Sequence, residues 1–221
     1  LVLSSAQTLV DDASLVFGAT ALAGGETVIR AFLSITGTPS GAETITITPV
    51  NATSIYDVAG NAMAASQTTG AKTLNDKVIP TITSVSLAAD NSTLAVTLSE
   101  AGFSTNGGSG VLEASDFAFS ISSGGAATLS STTPTSMISI SGNVYTLGIS
   151  LSGTPNGTET LAVNPVDNGI YDGAGNEAST SQFNIYNTVT LNDKAGPTIS
   201  SVSLASNNSS IAVTFSEAVY N

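Results

Sequence analysis

The sequence has no cysteine, no histidine and no tryptophan, and 4 lysines and arginines stand against 16 aspartates and glutamates. Without cysteine there is neither a disulfide framework nor a thiolate metal site. Without histidine or cysteine the usual general base and thiol nucleophile are missing. A carboxylate pair of the glycosidase kind remains, but the carboxylates recur copy by copy along the chain. That suits a structural role better than a single active site, so no enzyme is expected. The net charge of -12 opposes binding to nucleic acid or to an anionic membrane surface. Arg30, Lys72, Lys77 and Lys194 form no basic patch. No apolar run approaches the roughly 18 residues of a membrane span. Leu1 to Ser5 lacks the basic start and apolar core of a signal peptide, so the signal of a secreted protein would lie outside this sequence or have been removed.

What is present is apolar and neutral polar. Hydrophobic residues make up 41% of the chain and charged ones 9%, so the polar surface is mostly Ser, Thr, Asn and Gly. That is enough apolar material to build a core, unlike a disordered chain. Thr81 to Leu87, Leu94 to Leu98, Phe117 to Ile121, Val144 to Ile149 and Thr160 to Val163 alternate apolar and polar residues with period two. Such alternation sets one face of a strand in a core and the other in water. Asp90-Asn91, Asn106-Gly107-Gly108, Gly124-Gly125, Gly142-Asn143 and Pro155-Asn156-Gly157 supply turns between them. Gly107-Gly108-Ser109-Gly110 opens no helix and reads as a flexible loop, not a phosphate cradle. The predicted strands are 80–88, 93–99, 117–122, 126–130, 143–150, 158–163 and 184–191. About seven strands in about 117 residues predict an all-β, two-sheet Greek-key sandwich.

The chain repeats itself. Gly37-Thr38-Pro39 returns as Gly153-Thr154-Pro155, and Tyr56-Asp57 with Gly60-Asn61 returns as Tyr171-Asp172 with Gly175-Asn176. Leu74-Asn75-Asp76-Lys77 returns as Leu191-Asn192-Asp193-Lys194, and Ser99-Glu100-Ala101 as Ser216-Glu217-Ala218. A period of about 117 residues is a domain, since solenoid units run about 20–50 residues. Leu1 to Leu3 aligns with Phe117 to Phe119. The expected units are therefore 1–74, an incomplete domain without its first strands; 75–191, a whole domain; and 192–221, the first two strands of another. Two arrangements accommodate them. Either the chain is a segment of a longer tandem array, or it is a discrete subunit whose Pro197 to Asn221 segment completes the first domain of a neighbour by strand donation.

Val96-Thr97-Leu98-Ser99-Glu100-Ala101, Val213-Thr214-Phe215-Ser216-Glu217-Ala218 and the two Asp-x-x-Gly-Asn loops resemble the bacterial immunoglobulin-like tandem repeats of S-layer and giant surface or adhesin proteins. Order and spacing, matched twice, carry the resemblance across the whole chain. It implies tandem immunoglobulin-like Greek-key sandwiches in a secreted, rod-like, extracellular protein at a cell surface, and it implies no catalytic activity.

In that fold the incoming linker, the turn after the second strand and the loop before the last strand meet at one end. Asp76, Glu100, Asp172 and Asn176 are expected there, with Glu43 of the preceding unit nearby. Asp193 and Glu217 repeat the arrangement at the next junction, where Asp90 and Glu159 are placed to face them. Converging carboxylates and amide oxygens are what Ca2+ uses for its six to eight ligands. The competing view is that Asp-x-x-Gly-Asn is turn chemistry alone, with Asp capping the backbone and Gly at positive φ; no dense Asp-x-Asp-x-Asp loop is present to decide it. Tyr56, Tyr145 and Tyr171 read as core or corner residues before sugar platforms. Lys77 and Lys194 are candidates by type for an isopeptide bond. Asn51, Asn91, Asn156, Asn207 and Asn208 each open an Asn-x-Ser/Thr triplet, which so Ser/Thr-rich a chain produces by chance.

Two functions follow. One is a mechanical repeat whose partners are neighbouring copies, in tandem or as a head-to-tail polymer. The other is an adhesin module in which loops 105–116 and 165–181 contact surface glycans or a host surface.

Overall fold

Where alternation is cleanest, burial follows it residue by residue. Thr93–Leu98 buries Leu94, Val96 and Leu98 and leaves the residues between them half-exposed; Thr160–Pro165 does the same with Leu161, Val163 and Pro165. The computed structural model describes residues 3–8, 15–17, 24–25, 27–28, 33–49, 51–53, 55–68, 70–122, 124–182 and 185–221.

Early in the chain run β1 (Leu3–Thr8), β2 (Leu15–Phe17), β3 (Leu33–Ile35), β4 (Thr44–Pro49) and β5 (Lys72–Thr73). Then come β6 (Ile82–Leu87), β7 (Thr93–Leu98), β8 (Phe117–Ile121), β9 (Thr128–Leu129), β10 (Met137–Ser141), β11 (Val144–Gly148), β12 (Leu151–Ser152), β13 (Thr160–Pro165) and β14 (Thr188–Thr190). The last are β15 (Ile199–Leu204) and β16 (Ile211–Phe215). One 3-10 turn, Ala114–Asp116, precedes β8. The chain is all-β, and every strand pair among the described residues is antiparallel.

Between residues 82 and 191 the strands form a four-stranded sheet, β10-β11-β7-β6, a three-stranded sheet, β14-β13-β8, and a small pair, β12-β9. The first sheet turns Ile82, Leu94, Val96, Leu98, Tyr145 and Leu147 inward; the second contributes Phe117, Phe119, Leu161 and Val163. All are at most 4% exposed. The Phe117 and Tyr145 rings meet across the sheets with centroids 6.0 Å apart and tilted 48°, a geometry that aromatic pairs favour. Leu112 and Ile170 close the core beside Gly102 and Leu98, where a Cβ on Gly102 would crowd all three side chains.

Two strands were not expected. β10 alternates as Met137-Ile138-Ser139-Ile140-Ser141, but it is an edge strand with Ile138 and Ile140 turned to solvent, and the Ser/Thr/Pro run before it reads as loop. It pairs with β11 through the two-residue turn Gly142-Asn143, Gly142 taking φ +40°. β12 is only two residues long. The last strand is shorter than predicted, Thr188–Thr190 rather than 184–191; of that range, residue 184 lies outside the described residues.

The first copy repeats the second sheet: β1-β4-β5 stands in the order of β8-β13-β14, and β2 pairs β3 as β9 pairs β12. Leu3 lies opposite Pro49 as Phe117 lies opposite Pro165. The expected alignment of Leu1 with Phe117 is thus displaced by two residues.

Burial sets up a comparison between equivalent residues. Leu94 is fully buried, whereas its counterpart Ile211 is 60% exposed. We expect Leu94→Ala to lower the stability of the 75–191 unit by about 2–5 kcal/mol. Ile211→Ala should stay within about 0.5 kcal/mol of the unaltered protein in dilute solution. Urea titrations of both variants check this.

Candidate metal centre

The incoming linker leaves β5 and is fixed at once to the loop before β4. The Leu74 N–H donates to the Glu43 carbonyl at 2.8 Å, and the Lys77 N–H to the Pro39 carbonyl at 2.8 Å. Gly41, at φ +77°, lies under Asp76; a Cβ there would stand 3.3 Å from the Asp76 Cβ. Asp76 then accepts the Val78 N–H on its Oδ1 at 2.9 Å, closing a short turn.

Asp172 arrives on the loop between β13 and β14. Its Oδ1 accepts the Ala174 N–H at 2.8 Å and the Asn176 N–H at 2.7 Å, and its Oδ2 accepts the Asn176 Nδ2 at 2.7 Å. These donors hold a carboxylate that is fully buried, where an unbonded one would be costly. The same Asn176 Nδ2 reaches the carbonyls of Asp76 at 3.2 Å and Val78 at 3.3 Å. Asn176 thus enters as a donor that ties loop to linker.

Glu100 follows β7 by two residues and is half-buried. Carboxylate oxygens of Asp76, Glu100 and Asp172 all lie within 4.8 Å of one another. Burial pushes the Glu100 carboxyl above its ordinary range, and the charges of Asp172 and Asp76 push it further. Three carboxylates this close repel, and a divalent cation relieves that repulsion. The triad can hold a metal ion. No known family model, curated protein or solved structure matches the chain. What the site does has to be argued from its own geometry.

The other expected residues sort differently. Asp193 repeats the setting of Asp76: its Oδ1 accepts the Ala195 N–H at 2.8 Å, Lys194 N–H donates to the Pro155 carbonyl at 2.8 Å, and Gly157, at φ +79°, lies beneath it. Glu217 is exposed after β16, and no second group of three carboxylates forms among the described residues. Asp57 makes the bonds of Asp172, accepting Ala59 N–H, Asn61 N–H and Asn61 Nδ2 at 2.9, 2.8 and 2.7 Å, yet it is exposed. The Asp-x-x-Gly-Asn loop therefore folds by turn chemistry alone. Convergence with Asp76 and Glu100 is what distinguishes the second copy.

Glu43 and Glu159 are corrections. Neither faces a junction as a free carboxylate: both are buried pins of their own loops. Glu159 accepts the Ala127 N–H at 2.9 Å and the Asn156 N–H at 3.1 Å; Glu43 accepts the Ser40 N–H at 2.8 Å. Gly125 is required beside Glu159, since a Cβ there would overlap the carboxylate. Burial opposes ionisation of Glu159, but backbone donors led by Ala127 outweigh it and hold the carboxyl below its ordinary range. Asp90 is likewise spent on its own turn, accepting the Ser92 N–H and hydroxyl at 3.0 and 2.7 Å. Tyr145 is core, and the Tyr171 hydroxyl donates to Asn168 Oδ1 at 3.0 Å as a corner residue. Lys77 and Lys194 are exposed, which removes the buried setting that an isopeptide bond needs.

The two kinds of carboxylate predict opposite pH behaviour. Glu159 is more acidic folded than unfolded, so it contributes stability above the ordinary carboxylate range that is lost as pH falls through its folded value. Glu100 is less acidic folded, so its ionisation costs stability as pH rises from the ordinary range through the raised value. In chelator, Glu100→Gln should raise the denaturation midpoint at neutral pH. Glu159→Gln should lower it there and flatten the loss of stability in acid. Urea midpoints across pH check both signs.

Proposed function

We propose that the chain is a structural repeat of an extracellular filament or stalk at a cell surface, built of immunoglobulin-like Greek-key sandwiches over 1–74, 75–191 and 192–221. The observation that carries this is the repeated junction. Linkers 74–78 and 191–195 are anchored by the same bonds to the same Pro-x-Gly loop, about 117 residues apart. At the first junction the clamp continues into the next unit through Asn176. A linker fixed on both sides transmits tension and sets a constant angle between units, which is what an extending element needs and what a freely jointed string lacks.

Ca2+ is the cation this reading assigns to Asp76, Glu100 and Asp172. All three supply oxygen, the ligand hard cations take, and Asp76 of the linker joins Glu100 and Asp172 of the sandwich only when the two are docked. The ion would stiffen the junction and offset the repulsion felt by Glu100.

The alternative is a glycan-binding adhesin module using loops 105–116 and 165–181. Those loops interlock: Phe103 and Tyr171 exchange backbone bonds at 2.7 and 2.8 Å, and a Cβ on Gly108 or Gly175 would overlap Gly173 or Asn106 respectively. They brace the end of the sandwich that carries the triad, which favours the mechanical role.

Labelling of intact source cells with an antibody to this chain, together with the denatured mass of the native protein, tests the function. Surface label on an elongated protein or polymer supports it; an internal, globular monomer overturns it. For the ion, saturating CaCl2 at about a hundredfold over its Kd should stabilise the 75–191 unit by about 2.7 kcal/mol. Asp172→Asn and Glu100→Gln should abolish that gain. An unchanged melting temperature with and without chelator would remove calcium from the scheme.

A further inference from the structure

The chain holds three Asn-Gly pairs: Asn106-Gly107, Asn156-Gly157 and Asn168-Gly169. Such a pair is chemically labile when the asparagine side chain and the next backbone nitrogen are free to meet, because glycine puts no side chain in the way. The fold restrains two of them. Asn156 Oδ1 accepts the Thr158 N–H at 3.2 Å and the Thr158 hydroxyl at 2.6 Å. Asn168 Oδ1 accepts the Tyr171 hydroxyl at 3.0 Å, and its Nδ2 donates to Asp167 at 2.9 Å. The Gly169 N–H is itself donated to the Val166 carbonyl at 2.9 Å. Asn106 differs. Among the described residues neither its side chain nor the Gly107 N–H has a hydrogen-bond partner, and both residues are exposed. They are the central residues of a turn closed by the Gly108 N–H on the Thr105 carbonyl at 3.2 Å.

The glycines separate in the same way. Gly157 sits at φ +79°, and a Cβ on Gly169 would stand 2.9 Å from the Val166 carbonyl oxygen, so the fold requires both. Gly108 sits at φ +64° against Gly173. Gly107 lies outside the left-handed region, and a Cβ there would stand 4.0 Å from its nearest neighbours, the Ser109 and Thr105 hydroxyls. The turn has room for a side chain at 107; what glycine supplies is access. The turn is also a brace. The Asn106 carbonyl lies against Gly175 and Gly108 against Gly173, so both press on the loop that carries Asp172.

We propose that Asn106-Gly107 is a site of spontaneous deamidation that loosens the brace behind the Asp172 loop. Solvent base takes the Gly107 amide proton, the nitrogen attacks Asn106 Cγ, and the side-chain amide leaves as ammonia. A succinimide ring remains. Water opens it at either carbonyl, giving aspartate or isoaspartate at 106. Isoaspartate routes the main chain through Cβ, which lengthens the turn by one atom and displaces it from Gly173 and Gly175. Either product adds a negative charge to a chain already at -12. The change has no reverse step, so it accumulates with the age of the protein. It goes beyond the reading of the chain as a structural repeat and does not rest on it.

Incubation of the purified 221-residue chain in warm, mildly alkaline buffer, followed by peptide mapping in a mass spectrometer, tests it. Cleavage after Glu100, Glu113, Glu159 and Glu177 places the three pairs in separate peptides. The expected result is loss of the amide at 106 ahead of 156 and 168, with two chromatographically distinct products. Gly107→Ala should retain that amide through the same incubation. Conversion at 106 no faster than at the other two pairs, or unslowed by Gly107→Ala, overturns the proposal. Thermal melting in chelator then reads the brace: the converted chain should melt below the fresh one, while Gly107→Ala keeps its midpoint on ageing. Equal midpoints for fresh and fully converted chain would overturn the loosening. Neither readout involves a cation or a cell surface, so failure here and failure of the proposed function are separate results.

Discussion

Residues 74–78 are held from both sides, and the other features of the junction depend on that. Backbone bonds to Pro39 and Glu43 fix them to the preceding unit, and the Asn176 amide fixes them to the following one. The linker therefore has no free rotation to lose when Asp76 meets Glu100 and Asp172; the entropy of ordering it has already been met by hydrogen bonds. A carboxylate presented from a fixed backbone is preorganised, which is why three like charges can be gathered at one place. Proline contributes less than its presence in the linker suggests, since the anchoring bonds come from Leu74 and Lys77 and not from Pro80.

Charge is handled in two ways by this acidic chain. Glu43, Glu159, Asp57 and Asp90 each spend their oxygens on backbone N–H groups and are held below the ordinary carboxylate range by local donors such as Ser40, Ala127, Asn61 and Ser92, burial opposing it. These are loop pins; at Asp90 the Lys194 charge adds to the same lowering. Glu100 differs: burial and two neighbouring carboxylates raise it. The contrast separates structural carboxylates from a candidate ligand more sharply than residue type does.

Much of this was legible from the amino-acid order. Leu94, Val96 and Leu98 alternate with threonine and alanine, and a half-buried strand is the only regular element with that period. The convergence of Asp76, Glu100 and Asp172 also followed, because three short motifs recur in fixed order and a sandwich brings those three positions to one end. Glu159 was misread for a physical reason: Pro-Asn-Gly-Thr-Glu looks like a solvated turn, and nothing local reveals that Gly125, more than thirty positions earlier, leaves room for its carboxylate. β10 alternates over Met137 to Ser141 but is short and follows the Ser/Thr/Pro run 130–136, which reads as loop and masks it. The interlocking of the loops at Gly108 and Gly173 is a tertiary contact between glycines and leaves no periodic trace.

The duplicate loops expose a coupling between assembly and charge. Asp57 and Asp172 have the same sequence context and the same hydrogen bonds, yet one is exposed and the other fully buried. Beside Asp172, Asn176 reaches the Asp76 and Val78 carbonyls of the linker, and Glu100, two residues after β7, brings its carboxylate within 4.8 Å. A cation bridging Glu100 and Asp172 therefore recognises the assembled junction. By linkage, whatever such an ion gains in binding it returns as stability of that junction. Hairpin, loop and linker are thus one functional unit, of which the acidic triad is the part formed only when all three are in place.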